Sequence, residues 1–242
     1  MKRLVAIIAL ACIGTASADA PRTPVILELF TSQSCSSCPP AEALAQRLNS
    51  EQPIPGVEVL ALAQHVDYWN DSGWKDPYSS ASLTERQRDY ATTLGQPNHV
   101  YTPQAIIDGR IDAIGSDESA VIAGLKQAAT QPHQVLTFSF GRSDDVLTLS
   151  LTPITSSGDE LRYLIALVQD GIVTAVGSGE NGGRKLREDG VVRSLQTVDP
   201  KSPATLPLPA VSGGGRFRVI AFAQRKRDGR IVASAQQRVP AP

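Results

Sequence analysis

The chain has 242 residues, of which 41% are hydrophobic and 19% charged, a globular composition that excludes a disordered or collagen-like protein. The 23 lysines and arginines are balanced by 24 acidic residues, so no net basic field favours nucleic-acid binding through phosphate neutralisation. The long apolar run lies at the extreme N-terminus, so no internal segment is expected to span a membrane.

Residues 1–18 have the features of a secretory signal peptide. Two basic residues precede an apolar run at 4–14 that is too short to span a bilayer, and an Ala-Ser-Ala tripeptide ends at Ala18. We therefore expect cleavage near Ala18 and a periplasmic or secreted protein. Lipoprotein processing at Cys12 is the less favoured alternative, because no leucine stands three positions upstream.

The segment after the signal peptide predicts a β-α-β unit. An apolar run at 25–30 predicts a buried strand, and 39–48 predicts a helix with prolines in its first turn. A second strand at 57–63 is expected to cross over right-handedly into a parallel pair with the first. Ser82 to Glu85 matches a capping box and predicts a second helix that ends at Gly95.

The next segment predicts a hairpin and a third helix. Thr102-Pro103 precedes a strand at 104–107, and Asp108-Gly109 supplies a tight turn into 110–114. Acidic residues before 120–129 suit the start of a helix. The order β-α-β-α-β-β-α is that of the thioredoxin-type core, in which helices flank a mixed four-stranded sheet.

From Gln131 onward the helical signals stop. Strands separated by Gly, Pro, Ser and Asp turns are predicted at 135–140, 146–151, 161–168, 172–176, 191–198, 216–223 and 231–239. We therefore predict a thioredoxin-like α/β domain at 19–131, followed by an all-β antiparallel, sandwich-like domain at 132–242.

A C-x-x-C pair, Cys35 and Cys38, is left after signal cleavage and stands where the first strand leads into the first helix. A bridge across so small a loop removes little entropy from the unfolded chain, so a stapling role is weak, although a passive disulfide is an alternative. Redox chemistry and metal binding are the other interpretations. Because a helix N-terminus favours a thiolate, we expect Cys35, the more exposed thiol, to attack a partner and Cys38 to resolve the mixed disulfide.

Pro103 is the second part of this candidate site. In the thioredoxin fold, the loop before the third core strand carries a cis-proline that packs against the C-x-x-C and leaves neighbouring backbone groups free for an extended substrate. Thr102-Pro103 occupies that place in the chain. A cis Thr102–Pro103 bond is therefore expected, although most X-Pro bonds are trans.

The chain resembles a secreted thioredoxin-like bacterial family known as domain of unknown function 1223. The segments that carry the resemblance are 27–40, 65–69, 73–77, 87–88, 101–104, 179–184 and 191–193. The resemblance covers nearly all of the chain after the signal peptide. It implies a thioredoxin-like fold and a redox role, and it supplies no established substrate.

Two further ionisable residues are candidates for the site. His65 follows the second strand at the sheet edge that carries the cysteines. It is consistent with three roles: tuning Cys35 or shuttling protons, completing a Cu or Zn site with Cys35 and Cys38, or anchoring the loop that follows. Glu28 is a candidate buried acid for proton transfer to Cys38, by analogy with the acid beneath the cysteines of thioredoxins, or an edge-exposed carboxylate.

Aromatic residues around the site are candidates for substrate binding. Trp69 and Trp74, together with Tyr68 and Tyr101, are suited to a platform beside Cys35, and a loop that packs its own aromatics is the alternative.

The function favoured at this stage is thiol–disulfide exchange with protein thiols. It requires a redox partner that recycles the pair, and no cofactor beyond the disulfide. The alternatives are a metal-binding or metallochaperone module and a non-catalytic adaptor whose β region binds a partner.

Overall fold

The structure is a computed structural model that describes residues 22–155, 158–209 and 215–240. The predicted signal peptide at 1–18, with its cleavage position at Ala18 and the alternative lipidation site at Cys12, lies outside the described residues. None of the helices within those ranges combines the length and apolar character that a bilayer crossing requires.

The first part of the chain contains the predicted β-α-β unit, a second helix, a hairpin and a third helix. Its elements are β1 (Thr23–Thr31), α1 (Pro39–Glu51), β2 (Val57–His65), α2 (Ala81–Thr93), β3 (Gln104–Ile107), β4 (Ile111–Ile114) and α3 (Glu118–Ala129). Strands β1 and β2 are parallel, as expected. Asp108 and Gly109 have φ of 44° and 70°, the left-handed pair that a two-residue hairpin requires.

Helix α2 begins earlier than the sequence predicts. Ser80 is its N-cap, and the Ser80 side chain accepts the N–H of Leu83. The capping box at Ser82 was therefore wrong by one half-turn, because Ser82 lies inside the helix. Serine is favoured at the N-cap in either position, but only Ser82 has a glutamate three residues later, so the capping-box pattern pointed to the wrong serine.

The rest of the chain is made of strands, in agreement with the loss of helical signals after Gln131. They are β5 (Gln134–Val135), β6 (Thr137–Ser143), β7 (Val146–Thr152), β8 (Leu161–Asp170), β9 (Ile172–Ala175), β10 (Lys185–Glu188), β11 (Val191–Val198), β12 (Ala204–Pro207), β13 (Arg216–Arg225) and β14 (Ile231–Arg238). The two short strands β10 and β12 were not predicted.

The predicted fold class, a compact thioredoxin-like α/β domain followed by a separate all-β domain, is wrong. The structure is mostly β: of the residues that it describes, 42% lie in strands and 18% in helices. One mixed nine-stranded sheet, in the order β4-β3-β1-β2-β11-β8-β13-β14-β5, runs through both halves of the chain. A three-stranded sheet, β12-β7-β6, and the two-stranded hairpin β9–β10 complete the strands of the described residues.

The two halves join between β2 and β11. These strands are parallel, with Val191 opposite Ala63, and the Ala63 N–H donates to the carbonyl oxygen of Gly190 over 2.6 Å. Without β11, β2 would present a row of unpaired backbone groups at the edge of a four-stranded sheet. Pairing with β11 covers this edge at Ala63, whereas the Gln52 and Asn49 side chains bond the backbone at Val59 and Ala61. The pairing also converts the two predicted domains into one continuous sheet.

Side-chain alternation along β1 assigns residues to the two faces of the sheet. Leu27 and Leu29 pack in the core beneath α1 and α3, whereas Phe30 packs on the other face with Tyr90 of α2. Thr31 at the end of β1 therefore lies on the α1 face, and Glu28 lies on the α2 face.

Candidate functional site

A disulfide joins Cys35 and Cys38, with their Cα atoms 5.4 Å apart. Strand β1 ends at Thr31, a turn follows, and Cys38 is the N-cap residue of α1. The Cys38 carbonyl oxygen accepts the N–H groups of Ala41 and Glu42 over 2.9 and 3.1 Å. The C-x-x-C therefore lies between the first strand and the first helix, as the sequence predicts.

Both cysteines are buried, each with 0% of its surface exposed. The expectation that Cys35 is the exposed member of the pair is therefore wrong. Ser36 and Ser37, between the two cysteines, are exposed. The covering of Cys35 comes from a distant part of the chain that local sequence did not connect with this turn.

We call residues 176–184, the connection between β9 and β10, the cap turn. Asn181 in it is fully buried, and its amide donates to the carbonyl oxygens of Gln33 and Cys35 over 2.9 and 3.0 Å. The Glu180 carboxylate accepts the N–H of Ser36 over 3.0 Å. Arg184 donates to the Asn181 side-chain oxygen over 2.9 Å. The cap turn is thus hydrogen-bonded to the backbone on both sides of Cys35.

Trp74 belongs to this covering. Its indole N–H donates to the Gln33 side-chain oxygen over 3.1 Å, and its carbonyl oxygen accepts the Ser34 hydroxyl over 2.7 Å. A Cβ atom added at Gly177 of the cap turn would lie 3.2 Å from the indole ring. Trp74 therefore packs between the disulfide turn and the cap turn.

The Thr102–Pro103 peptide bond is cis, as predicted. Pro103 lies near the first turn of α1, because a Cβ atom added at Gly115 would meet Leu29, Ala41 and Pro103 within 3.2 Å. The Gly115 N–H also donates to the Pro103 carbonyl oxygen over 2.9 Å. The proline loop and the helix that begins at Cys38 are therefore neighbours.

The other predicted aromatics gather at the proline loop. The indole N–H of Trp69 donates to the Thr102 hydroxyl over 2.8 Å, and Tyr101 donates to the Asp112 carboxylate over 2.7 Å. Tyr68 contacts Gln87 over 3.2 Å and is 39% exposed. The four candidate aromatics thus divide between the proline loop, with three, and the cap turn, with Trp74.

A buried group of four ionisable side chains lies on the α1 face, and we call it the acid–histidine cluster: Glu42, His65, Asp76 and Glu188. His65 Nδ1 is 2.7 Å from Asp76 Oδ2. Glu42 accepts the Thr31 hydroxyl over 2.6 Å. His65 Nε2 and Glu188 Oε1 are 3.8 Å apart, and neither atom has a hydrogen-bond partner.

Gln33 connects this cluster with the disulfide turn. Its side-chain amide donates to Glu188 over 2.6 Å, and its backbone N–H donates to Asp76 over 2.8 Å. Because the Gln33 carbonyl oxygen also accepts from Asn181 of the cap turn, one residue contacts the cluster and the covering of Cys35.

The cluster shifts the pKa of each member. Burial raises the pKa of Glu42 to about 7, with a further contribution from the Glu188 charge, and burial also raises the pKa of Glu188. Burial opposes the charged form of His65, but Asp76 and the two glutamates overcome it and raise the pKa of His65 to about 9. Burial likewise opposes ionisation of Asp76, yet the His65 charge lowers its pKa. The His65–Asp76 pair is therefore ionised at neutral pH, and Glu42 gains or loses its proton close to neutral pH.

Glu28 lies in a different cluster, on the α2 face. Arg86 donates two hydrogen bonds to its carboxylate, of 2.5 and 2.8 Å, and Tyr90 and Gln64 also donate to it. These contacts tie α2 to the sheet. They place the Glu28 carboxylate on the face opposite to α1. None of the contacts described for Glu28 therefore connects it with Cys38, to which it was expected to transfer a proton.

Sequence reasoning did not identify Glu42, Asp76 or Glu188. A signal for Glu42 was available, because it stands four residues after Cys38, a spacing that places two residues on one face of a helix. Asp76 lies in a loop within segment 73–77, one of those that carry the family resemblance, but the segment gave it no role. Glu188 reaches the site from an unpredicted strand, and local sequence carries no signal for it.

The alternative Cu or Zn site on Cys35, Cys38 and His65 stays a prediction. In the disulfide form both sulfurs are bonded to each other. In the part of the chain that the structure describes, no group of three or more His, Cys, Asp or Glu side chains is arranged to hold a metal ion.

Comparisons with known proteins identify a family and a fold. A family profile described as "Protein of unknown function (DUF1223)" matches residues 26–224, and no curated protein matches the sequence. A crystallised protein from Agrobacterium tumefaciens is similar, with 28% identity and a TM-score of 0.65, over 92% of this chain and 100% of that one. HBP35 of Porphyromonas gingivalis shares the fold alone, with 18% identity and a TM-score of 0.57, over 90% of this chain and 76% of that one.

Proposed function

The chain belongs to the DUF1223 family, whose description assigns no activity, and we propose on the basis of its site that it is an exported thiol–disulfide oxidoreductase. The observation that carries the proposal is the placement of the disulfide. Cys38 caps α1 and is bonded to Cys35 in the turn before the helix, with the proline loop beside that helix. A bridge that closes so short a loop contributes little to stability, whereas a helix N-terminus is suited to stabilise a thiolate.

The reaction is an exchange of sulfur–sulfur bonds. A substrate thiolate attacks Cys35 Sγ, the Cys35–Cys38 bond breaks, and Cys38 leaves as a thiolate that takes up a proton. The second thiolate of the substrate then attacks the substrate sulfur of the mixed disulfide. This forms the substrate disulfide and releases Cys35 as a thiolate. Two electrons pass from the substrate dithiol to the cysteine pair, and the reverse sequence reduces a substrate disulfide.

Exchange requires the cap turn to move, because neither cysteine is exposed. Opening breaks the two hydrogen bonds from Asn181 and the one from the Ser36 N–H to Glu180, which contribute roughly 1 kcal/mol each. Openings of this size are within the range of local fluctuations in native proteins. The cap turn therefore restricts exchange to molecules that reach the pair during an opening or that displace the turn.

The partners that this chemistry requires are a protein thiol or disulfide as substrate and a second redox protein that recycles the pair. The predicted signal peptide at 1–18 supports export, and an oxidising compartment maintains disulfides.

Trapping of mixed disulfides tests the proposed function. In a Cys38→Ala variant Cys35 has no resolving partner. Incubation of this variant with an extract of exported proteins that carry disulfides should therefore yield adducts that a reductant releases. The Cys35→Ala/Cys38→Ala double variant is the matched control. A Cys38→Ala/Asn181→Ala variant removes the restriction by the cap turn. If neither Cys35-containing variant forms more adducts than the control, the proposed function is wrong.

A further inference from the structure

Breaking the disulfide creates an electrostatic problem at Cys38. The leaving sulfur is released as an anion in a position with 0% exposure. A buried, unpaired anion is strongly unfavourable. The N-terminal end of α1 offsets part of this cost, and a proton donor already at the site would offset the rest. Ser36 and Ser37 are exposed and neutral, and neither is such a donor.

Glu42 is the ionisable residue placed to supply this proton. It lies in the first turn of α1, and its backbone N–H donates to the Cys38 carbonyl oxygen over 3.1 Å. Side chains on a helix lean towards the preceding turn, so the Glu42 side chain is directed back towards the turn of Cys38. Its hydrogen bond to Thr31 at the end of β1 keeps it on the α1 face.

The groups that surround Glu42 control its charge. His65 of β2 and Asp76 of the loop before α2 form an ion pair of 2.7 Å. Glu188 of β10 faces His65 with an unpartnered oxygen atom, and Tyr78 contacts the His65 ring at 5.8 Å between centroids. The cluster holds three carboxyl groups and one protonated imidazole, so its net charge is negative when all three carboxyl groups are ionised. A proton on one carboxyl group brings the net charge closer to zero.

We propose that Glu42 donates a proton to Cys38 Sγ when the disulfide is reduced and accepts it when the disulfide forms again, while Glu188 and the His65–Asp76 pair set how readily it does so. This inference rests on the proposed thiol–disulfide exchange.

The step balances in atoms and electrons. Attack by a substrate thiolate on Cys35 Sγ forms one S–S bond and breaks another, and the electron pair of the broken bond goes to Cys38. The Glu42 carboxylic acid transfers its proton to that sulfur and becomes a carboxylate beside His65. On re-oxidation the Cys38 proton returns to Glu42, and the Cys38 thiolate attacks Cys35 Sγ of the mixed disulfide. This attack re-forms the Cys35–Cys38 bond and releases the substrate sulfur as a thiolate.

The pH profile of reduction by dithiothreitol tests this role in the full-length protein, with the rate divided by the concentration of dithiothreitol thiolate. For the native protein we expect the corrected rate to fall as pH rises through about 7, the pKa of Glu42. In Glu42→Gln, which keeps an acceptor for Thr31, we expect this inflection to vanish and the rate at pH 6 to fall roughly 100-fold, as for loss of a general acid.

Two further variants separate proton transfer from a structural effect. Glu188→Gln removes a charge that raises the pKa of Glu42, so the inflection should move to lower pH. Glu51→Gln, at the exposed end of the same helix, is the control and should leave the profile unchanged. If Glu42→Gln does not fold, the shift in Glu188→Gln carries the test.

The outcomes distinguish this inference from the proposed function. If dithiothreitol reduces the pair neither in the folded native protein nor in Asn181→Ala, in which the cap turn is released, the proposed function fails. If the native pair is reduced but Glu42→Gln keeps the inflection, or if the inflection does not move in Glu188→Gln, the role of Glu42 is overturned and the proposed function stands.

Discussion

The side-chain amide of Asn181 donates to the carbonyl oxygen of Cys35 over 3.0 Å, although 146 residues separate them in the chain. Asn181 also bonds to Gln33, so the connection between β9 and β10 holds the disulfide turn in place. Access to the cysteines is therefore controlled by the second half of the chain, which the sequence had assigned to a separate domain.

Asn181→Ala should make the disulfide more reactive. The variant loses two hydrogen bonds that close the cap turn, so we expect reduction by dithiothreitol to accelerate roughly 10- to 30-fold, as measured by alkylation of the released thiols. Lys185→Ala, at an exposed position of β10, is the control. Equal rates in the two variants would mean that the cap turn does not limit access to Cys35.

Gly190→Ala should weaken the joint between the two halves. Gly190 has a φ of 76°, and a Cβ atom there would lie 3.0 Å from the Ala61 carbonyl oxygen. Gly56 has a φ of 75° and nothing within 4 Å of such an atom, so Gly56→Ala isolates the backbone strain, about 1 kcal/mol. We expect Gly190→Ala to lower the free energy of unfolding in urea by at least about 2 kcal/mol, because the clash adds to that strain. If Gly190→Ala lowers the free energy of unfolding by no more than Gly56→Ala does, the close contact between Gly190 and β2 does not contribute to stability.

The local elements of this fold were predictable from sequence, because their signals are local. Apolar runs marked β1 and β2, the Asp108-Gly109 pair marked a hairpin, and the residue types after Gln131 marked strands. The pairing of β2 with β11 was not predictable, since an apolar strand indicates burial without naming its neighbour. This single pairing turns two expected domains into one sheet.

The site was predictable to the same extent. The cysteines, Pro103 and His65 could be identified because their spacing relative to one strand and one helix carries the information. The burial of Cys35 depends on Asn181, and the charge of His65 depends on Asp76 and Glu188. These contacts form only after distant strands have paired, so no local pattern reveals them.

Glu28→Gln should lower stability without changing exchange. It removes the charge that pairs with buried Arg86, and breaking such a pair costs about 3 kcal/mol or more, to be measured by urea unfolding. Glu85→Gln breaks an exposed pair with Arg88 and should change stability by less than about 1 kcal/mol. The pH profile for reduction of the disulfide should be the same in both variants. A profile altered by Glu28→Gln alone would restore Glu28 as an acid for Cys38.

The last prediction concerns the pH dependence that His65 gives to folding. In the unfolded chain His65 loses its proton near its ordinary pKa of 6.5, whereas in the folded protein it keeps the proton up to a pKa of about 9. A raised histidine pKa stabilises the fold fully below 6.5, and this stabilisation is lost as pH rises from 6.5 through 9. The shift corresponds to about 3 kcal/mol.

We therefore expect the native protein to be more stable than His65→Gln at pH 6 and to lose about 3 kcal/mol of that advantage by pH 9.5. The measurement is urea unfolding at half-unit pH steps. His99→Gln, at an exposed position, controls for loss of a histidine elsewhere. An advantage that stays constant from pH 6 to 9.5 would mean that the buried imidazole is neutral. Glu42 would then lose the neighbouring positive charge that lowers its pKa and would keep its proton to a higher pH.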